Sequence, residues 1–279
     1  MGKLMKHELK ANSRIMLPAF LLAALLSVLG GLSARFLDAV QNSVLLQIIS
    51  VMFIALFVIV TVFLALLCFV YMVQRFYATM AGREAYLTLN LPLSMDEHIC
   101  SKLLTSLIWS ILTALVTAAA IAIFILVSGG AGPFKALSGG YRDFKAQIAA
   151  LGMTNKFTLF VFESIIMIII QLLASYLLVY ASVAIGQKSS EKKLGSTIGA
   201  FAGLSVITSM VGNLVTTLFV KSASAYDWAF NYGSEFAEFT DFIRLANSVF
   251  LYGIAFGILQ CVVYYFVSSR LLKTKLNLN

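Results

Sequence analysis

Charge is what this chain has least of. Only 11% of its 279 residues are Asp, Glu, Lys or Arg, while 61% are hydrophobic. A soluble domain keeps roughly 25% charged residues. With a mean hydropathy of +0.95, the composition excludes a water-soluble globule and implies one all-α integral membrane domain, residues 1–279. Cysteine is also sparse. Cys68, Cys100 and Cys261 cannot form a complete set of disulfides, and two of them lie in apolar runs, so they read as reduced structural thiols. The two histidines, His7 and His98, stand far apart without carboxylate or cysteine company, no HExxH occurs, and no metal site is expected. His98 reads as a helix-surface residue. GxxxxGK[ST] is absent as well, so the chain should not bind ATP through a P-loop. The acid and base chains of proton-driven carriers are missing, and no catalytic residue can be named.

What charge there is carries information through its placement. The net charge of +8 would suit a nucleic-acid partner, but the basic residues cluster beside apolar spans, which is the pattern of topology signals. Six spans can be drawn: about Ile15–Ser33, Leu45–Tyr71, Leu103–Val127, Thr158–Ile185, Leu194–Phe219 and Asn247–Val267. Pro18 falls in the first turn of the first span, where its missing N–H costs little. That span lacks a convincing cleavage site and five more follow, so it reads as retained. Segments on the N-terminal side hold 13 basic residues and those on the opposite side 7. By the positive-inside rule both termini and the central polar segment are cytoplasmic.

Lys3 to Arg14 reads as an amphipathic surface helix. Lys3, Lys6, His7, Lys10 and Arg14 lie on one side, with Met5, Leu9 and Met16 on another. Such a helix can rest on anionic lipid or act only as an orienting basic flank. The Gly-rich connection at 128–157 reads as a mobile outer loop with a short helix near Phe144. A second outer loop, 220–246, mixes Asp227, Glu235, Glu238 and Asp241 with aromatic residues. It suits either a cationic amphipathic cargo or an ordinary interfacial belt.

The longest inner interruption, 72–102, has internal grammar. Phe76–Leu89 can form a short helix whose Phe76, Tyr77 and Met80 share an apolar-aromatic side. Leu91-Pro92 stops it, because the residue before proline avoids helical geometry. Ser94-Met95-Asp96-Glu97 is a capping box that begins a new helix running into the third span. This is a structured corner, suited to a soluble partner or to packing on its own chain. Gly195, Gly199 and Gly203, with Gly253 and Gly257, form GxxxG steps, which permit close helix packing within the chain or across a subunit interface. Glu163 is the one acid well inside a span. Near that span's outer end it can reach water, and it is a candidate cargo contact.

Two stretches, KHELKANSRIMLP with FYATMAGREAYLTLNLPLSMDEHICSKLL, and YASVAIGQKSSEKKLGSTIGAF, resemble the type-2 ATP-binding-cassette (ABC) permease family of Gram-positive bacteria. The resemblance implies a dimeric exporter unit in the bacterial cell membrane, with six helices per half. Its partners would be separate ABC ATPase subunits holding ATP and Mg, a second permease subunit of the same or another kind, and membrane lipid. Residues 1–14 would be an elbow helix, and Phe76–Leu89 a coupling helix seated in the ATPase. Phe76, Tyr77 and Arg83 lie in that segment, and Gly82, Glu84, Tyr86, Leu87 and Pro92 fall on the family's G-x-E-x-Y-L…P pattern. A carrier or channel without an ATPase, and a membrane sensor or scaffold, are the competing readings.

Overall fold

The computed structural model describes residues 2–37, 43–80, 82, 85, 94–130, 132–188, 193–222 and 235–274. Among these the regular structure is entirely helical. The helices are α1 (Gly2–Leu37), α2 (Val44–Met80), α3 (Met95–Gly129), α4 (Gly132–Ala150), α5 (Thr154–Gly186), α6 (Lys193–Ser222) and α7 (Glu235–Thr274). All but α4 contain a stretch long and apolar enough to cross a membrane, so this is a six-span, all-α membrane protein. The helices outrun the spans drawn from hydropathy. At 1.5 Å per residue the 33 residues of α5 extend about 50 Å, against about 30 Å of hydrocarbon.

The chain divides into two compact units, Met1–Arg75 with Cys100–Phe144, and Phe76–Ile99 with Lys145–Asn279. In the first unit, Leu26, Phe57 and Ala120 form a core joined by Val60 and Phe124, and Phe57 stacks on Phe124. Gly31 lets α1 approach α3, since a Cβ there would lie 2.8 Å from Val127 Cβ and 2.9 Å from the Phe124 carbonyl oxygen.

No break separates the expected surface helix from the first span. Both belong to α1, and Pro18 stands well inside it rather than in a first turn. Glu8, Asn12, Met16, Phe20 and Ala23 are buried along one continuous face, while Lys6, His7, Lys10 and Arg14 are exposed. The helical period therefore carries the buried stripe through the proline, at the cost of one backbone hydrogen bond.

In the second unit α5 packs most extensively on α7 and also on α6. Pairs along α5 and α7 rise together: Phe160 lies 5.0 Å from Phe250, Met167 covers Gly253 and Ile170 covers Gly257, so the two helices run parallel. The glycine steps of α7 thus serve packing within the chain. A Cβ on Gly257 would stand 2.6 Å from Ile170 Cγ2, whereas Gly199 and Gly203 of α6 face open space and Gly195 is exposed.

The connection at 128–157 departs from the expected mobile loop. It is mostly the 19-residue helix α4 rather than a mobile loop. Pro133 sits in its first turn, a position where proline is tolerated. Its end is a complete Schellman turn. Gly152 has φ +66° and donates to the Ala149 carbonyl at 3.0 Å, and Met153 N–H reaches the Ile148 carbonyl at 3.1 Å. Ile148 and Met153 are buried together, supplying the apolar contact that accompanies this motif. Glycines 129, 130, 132, 139 and 140 hide this helix from a breaker count. The spacing of Phe134, Leu137, Tyr141, Phe144 and Ile148 is the signal that reveals it. At 220–246, α6 extends to Ser222 and α7 begins at Glu235, with 223–234 outside the described residues.

Candidate functional site: the braced corner between α2 and α3

The corner begins as an ordinary continuation of α2, which runs to Met80 without an earlier stop. Its exit is made by Gly82, whose N–H donates to the Tyr77 carbonyl at 2.8 Å, five residues back, the closure typical of a helix C-terminus. A Cβ on Gly82 would come within 2.9 Å of the Ala78 carbonyl oxygen and 3.0 Å of its Cα. Only glycine fits there without backbone movement. Ala85 N–H then donates to the Gly82 carbonyl at 3.1 Å, and Ala85 is fully buried.

The return into α3 is capped as its sequence demands. Ser94 N–H donates to Glu97 Oε2 at 3.0 Å, and Glu97 N–H donates to Ser94 Oγ at 3.3 Å. The box satisfies two helix-end donors reciprocally.

Both flanks are tied to other helices by charge. In the first unit Glu8 of α1 accepts from Arg75 Nε and from Lys102 Nζ, each at 2.8 Å. The Lys102 side chain is only 5% exposed. One carboxylate therefore joins the last turns of α2 to the first turns of α3, in a setting dry enough for the pairing to matter. In the second unit Asp96 accepts from Ser269 Oγ and Lys273 Nζ of α7. That pair is exposed and contributes little by itself, though it fixes where the end of α7 lies.

Phe76 does not offer an apolar side to a partner. It is 1% exposed and stacks face to face on Tyr180 of α5, with centroids 3.5 Å apart. Met80 is buried too, while Tyr77 is only partly covered. Apolar spacing alone could not distinguish a face kept for a partner from one filled by the chain's own helix. His98 is likewise buried rather than on the surface. Arg83, Glu84, Tyr86, Leu87 and Pro92 lie outside the described residues. Glu8, Lys102 and Tyr180 were missed by sequence reasoning. The one signal available for Glu8 was an acid alone among the five basic residues of a short amphipathic helix.

Away from the corner, Glu163 lies on the stripe of α5 that meets α7, between Phe160 and Met167 at helical spacing. It is 6% exposed, so it does not reach open water as the sequence suggested. Among the described residues its buried Oε2 has no hydrogen-bond partner. The corner does not include it.

Comparison with family models, curated proteins and solved structures returns no match to this chain.

Proposed function

We propose that this chain is the transmembrane permease subunit of an ATP-driven ABC exporter in a bacterial cell membrane. A separate ATPase subunit hydrolyses ATP with Mg, and the permease moves a peptide, antibiotic or lipid-like cargo outward. Amphipathic antimicrobial peptides are the favoured cargo, motivated by the acidic and aromatic residues in 220–246. Both termini are cytoplasmic. The observation that carries this reading is the bracing of the corner. Glu8 grips Arg75 and Lys102 on both sides of it, Phe76 stacks on α5, and Asp96 holds α7. A partner pushing on 81–93 would load α5 and α7 of the same unit together, as a switch of the open side of a bundle requires. Phe76 then transmits force within the chain, while Tyr77, Arg83, Glu84, Tyr86 and Leu87 are candidates for touching the ATPase. The second permease subunit, a copy or a different chain, has an available surface in the exposed Gly195, Gly199 and Gly203 of α6.

The test is co-purification in mild detergent. A P-loop ATPase should accompany the tagged chain in stoichiometric amount and be lost when Glu84 or Tyr86 is replaced at equal membrane abundance. A chain that purifies intact but alone under several gentle conditions would remove the exporter reading.

One observation favours a second reading. A carboxylate buried in a span with an unpartnered oxygen is what a cation- or proton-coupled carrier would use. Transport into proteoliposomes that persists without ATP, follows a pH gradient and is abolished by Glu163→Gln would select it.

A further inference from the structure

Helix α4 is the element that neither reading uses. On one side it carries Phe134, Leu137, Tyr141 and Phe144, spaced by three and four residues, with Leu137 73% and Tyr141 63% exposed. The stripe ends at Ile148, which is buried. Lys135, Arg142 and Lys145 are exposed; at about 100° per residue Lys145 borders the stripe, while Arg142, Lys135 and the helix's one acid, Asp143, fall on the opposite, polar side. An apolar strip of this kind costs free energy in water and must be covered.

Connectivity says by what. The apolar run of α3 ends at Val127, and that of α5 begins at Thr158. Two residues, Gly130 and Ala131, join α3 to α4, and three, Leu151–Met153, join α4 to α5. Since α3 leaves the membrane and α5 re-enters it on the same side, both ends of α4 are held close to one bilayer surface. A rod of 19 residues, about 28 Å long, with both ends at one surface lies along that surface. A stripe of Phe, Leu and Tyr with basic residues predominating on the polar side is the composition of a helix seated at the headgroup–acyl boundary.

We propose that α4 is an interfacial helix that docks through Leu137, Tyr141 and Phe144 into the leaflet opposite the N-terminus, with Lys135, Arg142 and Lys145 drawing anionic headgroups. The inference rests on the six spans and is independent of the exporter and carrier readings.

The test places an environment-sensitive fluorescent amino acid at 137 or 141, on the stripe, or at 143 or 146, away from it. The otherwise unchanged chain is examined in nanodiscs holding one copy each. A shallow nitroxide-labelled lipid should quench 137 and 141 severalfold more than 143 and 146, and aqueous iodide should show the reverse order. Position 62, exposed in the middle of α2, serves as the deep-membrane control. If it too is iodide-accessible, the spans and the docking fail together. If 62 is protected while all four α4 positions are equally iodide-accessible, α4 stands in water and only the docking fails. Protection of 137 and 141 that is present in crowded proteoliposomes but lost in one-copy nanodiscs overturns the lipid assignment in favour of a second copy. Nitroxide quenching at 137 should rise when phosphatidylglycerol replaces part of the phosphatidylcholine, and K135Q/R142Q/K145Q should lose that rise. An unchanged rise in the triple variant overturns the role given to the three basic residues.

Discussion

The two ends of α5 are built on different terms. Across 174–186, ten of thirteen residues are buried, among them Tyr176, Tyr180 and Ser182, and Gln187 just beyond is buried as well. Across 154–173 the buried residue is Glu163 alone. The same helix is a core element at its C-terminal end and a loosely covered one at its N-terminal end. The C-terminal end borders the corner where Phe76 stacks, and the N-terminal end follows the α4 turn. Interiors near close packing transmit displacement, whereas sparsely packed segments yield locally. Under the proposed coupling role, a load applied at the corner would travel into α5, with the freedom to respond at its far end.

Five perturbations would break or sharpen that contrast. The largest effect is expected at Gly186, where a Cβ would sit 2.0 Å from Thr197 Oγ1 and 2.8 Å from Thr197 N and Cα. The hydroxyl can rotate away but the backbone cannot. Gly186→Val should destabilise by about 3 kcal/mol or more, as overpacking does at a site that cannot relax. Thermal unfolding in detergent reads this, and a normal midpoint would show that the C-terminal end of α5 is not tightly packed.

Glu8→Ala comes next. It removes the carboxylate shared by Arg75 and the buried Lys102, for an expected loss of about 3–5 kcal/mol. The triple change of Glu8, Arg75 and Lys102 to apolar residues should recover much of that loss, because no charge then remains in the dry site. A triple variant as unstable as the single one would assign Glu8 a packing role instead.

Gly257→Leu should cost about 1–3 kcal/mol by forcing Ile170 out of its place, while Gly199→Leu on the open face of α6 should leave the monomer's stability nearly unchanged. If the α6 variant instead lowers the oligomer size in detergent, that face is a subunit interface.

Glu163→Gln tests the N-terminal end of α5. It deletes an ionisable group without changing volume, so stability should hold or rise by up to about 1 kcal/mol, given an insertion cost of about 2.5–3.5 kcal/mol for a charge at mid-membrane and less nearer the surface. Transport should fall if Glu163 meets the cargo. Transport unchanged with full stability would remove it from the cargo path.

The smallest effect is expected for Lys273→Ala. It breaks the exposed ion pair with Asp96 and should cost no more than about 1 kcal/mol, a share that high salt should diminish.

Much of the fold was legible because it depends on free energies of transfer that each residue carries with it. Six apolar runs gave six spans, and Ser94 and Glu97 formed the capping box their spacing demands. The failures have a common cause. Glycines at 139 and 140 were read as breakers, yet a helix held by a Schellman turn at Gly152 and an apolar stripe tolerates them. Phe76 was read as part of an apolar-aromatic side open to a partner or to its own chain, and it is covered by Tyr180, a residue 104 positions away in sequence. A helical period states that a face is apolar without stating what will cover it.

By itself, then, the sequence determined that this is an all-helical, six-span membrane protein with a capped polar corner, because burial in lipid requires every backbone group to be satisfied within its own helix. Only the tertiary structure decided that Glu8 would brace that corner, that Gly253 and Gly257 would receive Met167 and Ile170, and that Glu163 would be covered. Those outcomes depend on which helices meet and in what register. Pairing residues distant along the chain is a property of packing, and no local run of residues encodes it.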